Sequence, residues 1–273
     1  MTFTLEDCSF RFHFKLLCCM RVHVNSGNMI LLLLLMVLLG ACIDCICQNG
    51  NSPYLDSLYQ VAVKDAQIIE AIEVDTLTIV SRDNDMLEFR TINKKEYVKA
   101  VTWIDDEVEN LYKEALQEHS SELVPKSGIE LWLNLYPELQ NFCAGVEVTT
   151  EEDLILGMKQ KLGLPHTGQN SLIAEIWVPV ESIKRPCLNT DVKDTLCFVE
   201  MSVNVERSEY HEWYFAQRAD VRKKGTFPFT GLGYTYDWAP GASEFGLSEF
   251  VLIGNGKEAI YIENLSKPKD YCR

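Results

Sequence analysis

Ile129-Glu130-Leu131-Trp132-Leu133-Asn134-Leu135-Tyr136 places an aliphatic residue at every second position over eight residues. That period of two is the pattern of a β-strand with one face on a core. Pro137 ends it, and a short turn of helix is expected to run on to Cys143. Upstream, residues 77–80, 87–92 and 97–104 are rich in β-branched and aromatic residues and read as strands. Arg82-Asp83-Asn84-Asp85 supplies a turn between the first two. Between these strands and residue 129, residues 105–120 read as an acidic helix. Its apolar stripe is Val108, Leu111, Tyr112, Ala115 and Leu116.

Downstream, Thr149 with Glu152 forms a capping box that opens a helix. Leu154, Ile155, Met158 and Leu162 face inward from it, and Gly163-Leu164-Pro165 stops it. Residues 172–178 and 198–205 read as strands, and residues 208–222 as a helix with Tyr210, Trp213 and Tyr214 on one face. Residues 225–246 read as a Gly- and aromatic-rich loop. Residues 247–253 and 259–263 read as a closing hairpin around Gly254-Asn255-Gly256. Helices and strands are mixed without regular βαβ alternation. The class is therefore α+β: a single mixed or antiparallel-sheet domain with a few packed helices over residues 54–273. No fixed period runs through the chain, which excludes solenoids and propellers.

The chain carries a formal charge of −15, and without residues 1–41 it holds 22 Lys+Arg against 38 Asp+Glu. Such a surface repels phosphate backbones, so no nucleic acid is expected as partner. Four of the ten cysteines, Cys143, Cys187, Cys197 and Cys272, lie in the body, too widely spaced for a zinc ribbon. In an exported chain they form disulfides by default. Of the three possible pairings, Cys187–Cys197 closes a short local loop and leaves Cys143–Cys272 to pin the C-terminus. The alternative is reduced thiols packed as small hydrophobes.

Residues 29–43 contain no charged side chain. As a helix they would span about 22 Å, short of a hydrocarbon core of about 30 Å, which suits the apolar region of a signal peptide. The run ends in Leu39-Gly40-Ala41-Cys42, which resembles the lipobox of bacterial lipoproteins. The resemblance implies lipid attachment at Cys42, cleavage before it, and a membrane-anchored, extracytoplasmic location in the cell envelope. A non-cleaved N-terminal anchor is the rival. Met20, followed by Arg21 and His23, makes a better signal start than Met1. Residues 1–41 are then extension and signal, and residues 42–53, which include Cys45 and Cys47, are a tether.

Several pieces between Val101 and Cys272 resemble an uncharacterised bacterial protein family. They include Arg185-Pro186-Cys187, Leu232-Gly233-Tyr234-Thr235-Tyr236-Asp237-Trp238 and Gly246-Leu247-Ser248-Glu249-Phe250. This resemblance implies one fold unit and no particular chemistry. The Ser248-Glu249-Phe250-Val251-Leu252 strand also resembles the closing hairpin of ADP-ribosyltransferases. In that family a Glu at this place supports transfer from NAD, and Arg185 or Tyr234 would have to hold the nicotinamide or phosphates.

The candidate site is residues 230–238 with Ser248-Glu249. Tyr234, Tyr236 and Trp238, with Arg185, could line a pocket or form a contact surface for a protein or a glycan. Asp237 and Glu249 could supply the paired carboxylates of acid/base chemistry. His119, His166 and His211 stand in no metal-binding spacing, and no P-loop, GxGxxG or GxSxG is present, so no metal or cofactor is expected. The favoured reading is a membrane-tethered binding or interaction domain. An extracytoplasmic enzyme using Glu249 and Asp237 is the alternative.

Overall fold

A computed structural model describes residues 53–70, 77–118, 120–147, 150–201 and 206–273. The segment read as signal and lipobox with Cys42, the cysteines of the expected tether, Thr149 and His119 lie outside the described residues. Nine antiparallel strands form one open sheet, and six helices pack on it among the described residues. The class is α+β, as the mixed pattern predicts.

The strands are β1 (Phe89–Ile92), β2 (Lys95–Asp105), β3 (Glu122–Leu123), β4 (Glu130–Leu135), β5 (Asn170–Pro179), β6 (Ile183–Lys184), β7 (Tyr234–Asp237), β8 (Glu244–Ile253) and β9 (Ile260–Ser266). Their order is β3-β9-β5-β2-β4-β8-β6, with β1 beside β2 and β7 beside β8. The helices are α1 (residues 53–65), α2 (Glu109–Gln117), α3 (Glu138–Ala144), α4 (Glu151–Lys161), α5 (Glu209–Lys224) and α6 (Pro268–Tyr271).

β2 is central. β1 reaches it through a two-residue turn at Asn93-Lys94, both with positive φ (50° and 66°), the twist a tight hairpin needs. Alternation sends Val98, Ala100 and Ile104 into the main core, joined there by Leu133, Ile176, Phe250 and Ile262 and covered by Tyr112 and Ala115 of α2. Val101 and Ile173 face the other way, onto Leu139 of α3, Leu154 and Met158 of α4, and Tyr271 of α6. On that second face the buried Lys99 pairs with Glu175 at 2.8 Å and lies 3.9 Å from the Tyr136 ring.

The body cysteines form two disulfides, Cys143–Cys272 and Cys187–Cys197, with Cα atoms 5.3 and 5.8 Å apart.

Several expected elements differ. Residues 77–80 form no regular strand, although Leu77 and Val80 still donate to the carbonyls of Thr195 and Val192. Residues 198–201 are not strand, and 202–205 lie outside the described residues. The helix expected from a Thr149 box is instead capped by Thr150, whose hydroxyl accepts from the Asp153 amide at 3.1 Å. The loop at 225–246 contains β7.

The closing hairpin is absent. β8 pairs with β4, β6 and β7, while β9 pairs with β5 and β3, so three strands lie between them. The connecting turn docks sideways: the amides of Gly254 and Gly256 donate to the carbonyls of Ile129 and Pro125. The Asn255 side chain accepts from Lys257 and Glu258, an Asx turn that replaces a hairpin turn.

Candidate functional site

The site arises where the sheet splits. β2 pairs with β5 along almost its whole length but with β4 only at Ala100↔Leu135 and Val101↔Asn134. Continued register would place Trp103 opposite Trp132, yet no pairing exists there. β4 follows β8 from Asn134 back to Glu130, while β2 stays with β5.

The gap between them is a cavity of about 660 Å³, within the range of small-molecule sites. Residues 102–105 and 129–132 form its two walls. Residues 123–126, 162–164 and 227–229 close it, and Tyr112 and Tyr236 reach it from α2 and β7. The exposed apolar side chains Val108, Leu111, Val124, Ile129 and Phe227 belong to this lining. A concentration of exposed apolar groups around one opening marks a binding site better than scattered ones do.

Glu249, on β8 opposite Asn134, is the polar group that stands out. Its main chain is used, the amide donating to the Gly233 carbonyl at 2.8 Å. Among the described residues its carboxyl has no hydrogen-bond or ion-pair partner. The side chain is half-buried, but the surface it shows faces a cavity walled by apolar groups. Burial pushes its pKa up to about 8. The other acids of the lining are committed. Asp105 accepts from the amides of Glu107 and Val108, and Glu130 accepts from Trp213 Nε1 at 2.5 Å.

Of the candidate side chains Arg185, Tyr234, Tyr236, Asp237 and Trp238, Tyr236 alone shares this cavity with Glu249, and Thr235 of the same stretch lines it too. Asp237 binds Lys161 Nζ at 3.1 Å and accepts from the Ala239 amide, which makes it a buried ion pair and turn cap. It lies opposite Glu244, five residues along β8 from Glu249, about 16 Å of strand. Paired carboxylates in glycoside cleavage stand about 5–9.5 Å apart, so the structure does not bring these two together.

Tyr234, Tyr236 and Trp238 are buried, not displayed as a contact surface. Tyr236 donates to Asp65 at 2.8 Å, and Trp238 Nε1 donates to the Leu164 carbonyl at 3.0 Å and meets Tyr59 edge-on.

Arg185 is fully buried: its Nε and Nη2 donate to main-chain carbonyls of Thr78, Asp191, Val192 and Asp194, while Nη1 has no hydrogen-bond partner among the described residues. Burial pushes its pKa down to about 10. It holds the loop closed by Cys187–Cys197 and does not line the cavity that contains Glu249. With the hairpin also absent, the ADP-ribosyltransferase pattern is not assembled around Glu249.

His211 accepts from the Ser208 amide at 3.1 Å and so caps α5. A second, more open cleft lies beside Glu138, Asn141 and Ser248. There burial raises the Glu138 pKa, while hydrogen bonds to Thr78 and the Ser248 amide act against it.

Neither the protein-family models, nor the curated proteins, nor the solved structures contain a match to this chain. Trp103, Trp132 and Phe229 belong to the cavity lining and carried no functional signal in the sequence, where Trp103 and Trp132 read as strand residues.

Proposed function

We propose that the protein is an extracytoplasmic binding domain, tethered to a membrane of the cell envelope, whose split-sheet cavity takes a small and mostly apolar ligand. The observation that carries this reading is the gap between β2 and β4, open at an apolar rim, with Glu249 as its one uncommitted acid. Binding fits better than catalysis because, among the described residues, no serine, cysteine or histidine lines the cavity. An enzyme would use Glu249 as a general acid, the other carboxylates of the lining being held, Asp105 by the amides of Glu107 and Val108 and Glu130 by Trp213 Nε1.

Tethering is supported by Leu39-Gly40-Ala41-Cys42 behind an uncharged run, and export by the two disulfides. Among the described residues no helix is long and apolar enough to cross a membrane.

The test is titration of the full-length chain with Nile red, a neutral apolar dye. Saturable one-to-one binding is expected, weakened at least tenfold by Thr102→Phe, which puts a ring into the gap. Dye uptake without saturation, or equal in the variant, rejects the cavity as a ligand site. For the tether, radiolabelled palmitate is expected in the wild-type chain and absent from Cys42→Ser.

A further inference from the structure

We propose that the ligand of this cavity is a hydrophobic cation, an amine or quaternary ammonium whose nitrogen meets Glu249 and whose apolar part fills the gap between β2 and β4. This inference rests on the binding reading above and names the ligand class.

Charge comes first. The ionisable acids and bases of the lining are Asp105, Lys126, Glu130 and Glu249. Lys126 is exposed, at the rim. The interior therefore holds no cation, and an anionic head such as a fatty-acid carboxylate would meet only acids there. A neutral ligand gains at most a hydrogen bond with the Glu249 carboxyl, whereas a cation also gains a charge pair once that carboxyl ionises.

The walls point the same way. Trp103, Trp132 and Phe229 all line the cavity, and Trp132 and Phe229 meet edge-to-face at 5.8 Å. Aromatic faces combined with a carboxylate attract a desolvated ammonium through the ring quadrupole, and Trp does so best. At long range, the net charge of −15 draws cations toward the molecule.

Proton balance gives the inference a signature. The empty site holds Glu249 as the neutral acid at pH 7. When an ammonium enters, the carboxyl ionises, the O–H bond breaks and the proton leaves to solvent. The other titratable groups around Glu249 are Tyr210 of α5, Tyr112 of α2, Tyr236 of β7, Glu130 of β4, Asp105 at the end of β2 and Lys126. Tyr210 and Tyr112 are held neutral by burial, and Glu249, raised by its own burial, supplies the proton.

The experiment displaces Nile red from the full-length chain with three probes of one shape: 4-phenylbutylamine, 4-phenylbutanol and 4-phenylbutanoate. The amine is expected to bind at least tenfold tighter than the other two. Its affinity should rise nearly tenfold per unit from pH 6 to 8 and level off above. Glu249→Gln should remove the advantage of the amine without weakening the alcohol. If the alcohol or carboxylate binds as tightly as the amine, or amine affinity is flat with pH, the cation is wrong while the cavity still binds ligands. If Nile red itself does not bind saturably, the binding reading fails and this inference falls with it. The wild-type comparison needs no variant to fold.

Discussion

Glu249 shows how far a single residue can be read from sequence. Its place in an alternating strand beside Ser248 singles it out, but its partner is misassigned, because Asp237 and Glu249 are near in the text of the motifs and far apart along β8. What isolates Glu249 is the divergence of two strands, which no local pattern encodes. Its burial has a consequence for stability. The folded carboxyl titrates near 8 and the unfolded one near 4.5. Between these values the folded state binds more protons than the unfolded state, so stability falls as pH rises across that window and then levels. The full contribution is present below about pH 4.5 and is lost towards pH 8. Its size is roughly 3 kcal/mol once water inside the cavity is allowed for. Glu249→Gln cannot ionise. Urea denaturation should find the variant close to wild type at pH 4.5 and more stable by about that amount at pH 9. Parallel pH profiles for the two proteins would show that the carboxyl is solvated.

At the scale of elements, β4 was readable to within a residue at each end, because its period of two extends over the whole strand. The split beside it was not. Pairing register is set by partners more than twenty residues away, and β2 offers apolar residues to both faces whether or not β4 accompanies it. The same reason defeats the hairpin reading of residues 247–263. The turn Gly254-Asn255-Gly256 suits a hairpin locally, but the docking of Gly254 on Ile129 sends β9 to the far side of the sheet. A Cβ at Gly254 would overlap the Lys126 carbonyl, so the bare backbone is required there. The split predicts a hydrogen-exchange pattern. The Tyr136 amide donates to Lys99 on β2, and the Ile129 carbonyl accepts from Gly254 on the β8 side. Alternation then turns the amides of Leu131 and Leu133 toward β8 and that of Trp132 toward the gap. In the empty protein the Trp132 amide should exchange about a hundredfold faster than that of Leu133, and slow when 4-phenylbutylamine is bound. Equal protection of the two amides would mean that β2 and β4 are zipped together beyond Val101.

For the whole molecule, the mixed order of helix and strand patterns and the four body cysteines indicate a disulfide-bonded α+β body, while strand order comes only from the fold. The two disulfides do different work. Cys187–Cys197 closes a loop of ten residues that Arg185 already holds through main-chain carbonyls. Cys143–Cys272 spans 129 residues and joins α3 to the residue after α6, within the second core layer. A crosslink restricts the unfolded chain more as its loop lengthens, by roughly 5 kcal/mol for the long loop and roughly 3 kcal/mol for the short one. The double variant Cys143→Ser/Cys272→Ser should therefore lose more stability in a denaturant titration than Cys187→Ser/Cys197→Ser, by about 2 kcal/mol. The local variant should also loosen the segment that Arg185 gathers, with faster exchange at Val80, whose amide donates to Val192. Binding of Nile red should survive that local loosening, because neither disulfide contributes to the cavity lining. Loss of the dye site in Cys187→Ser/Cys197→Ser would show instead that the β2–β4 gap depends on the Arg185 network across the sheet.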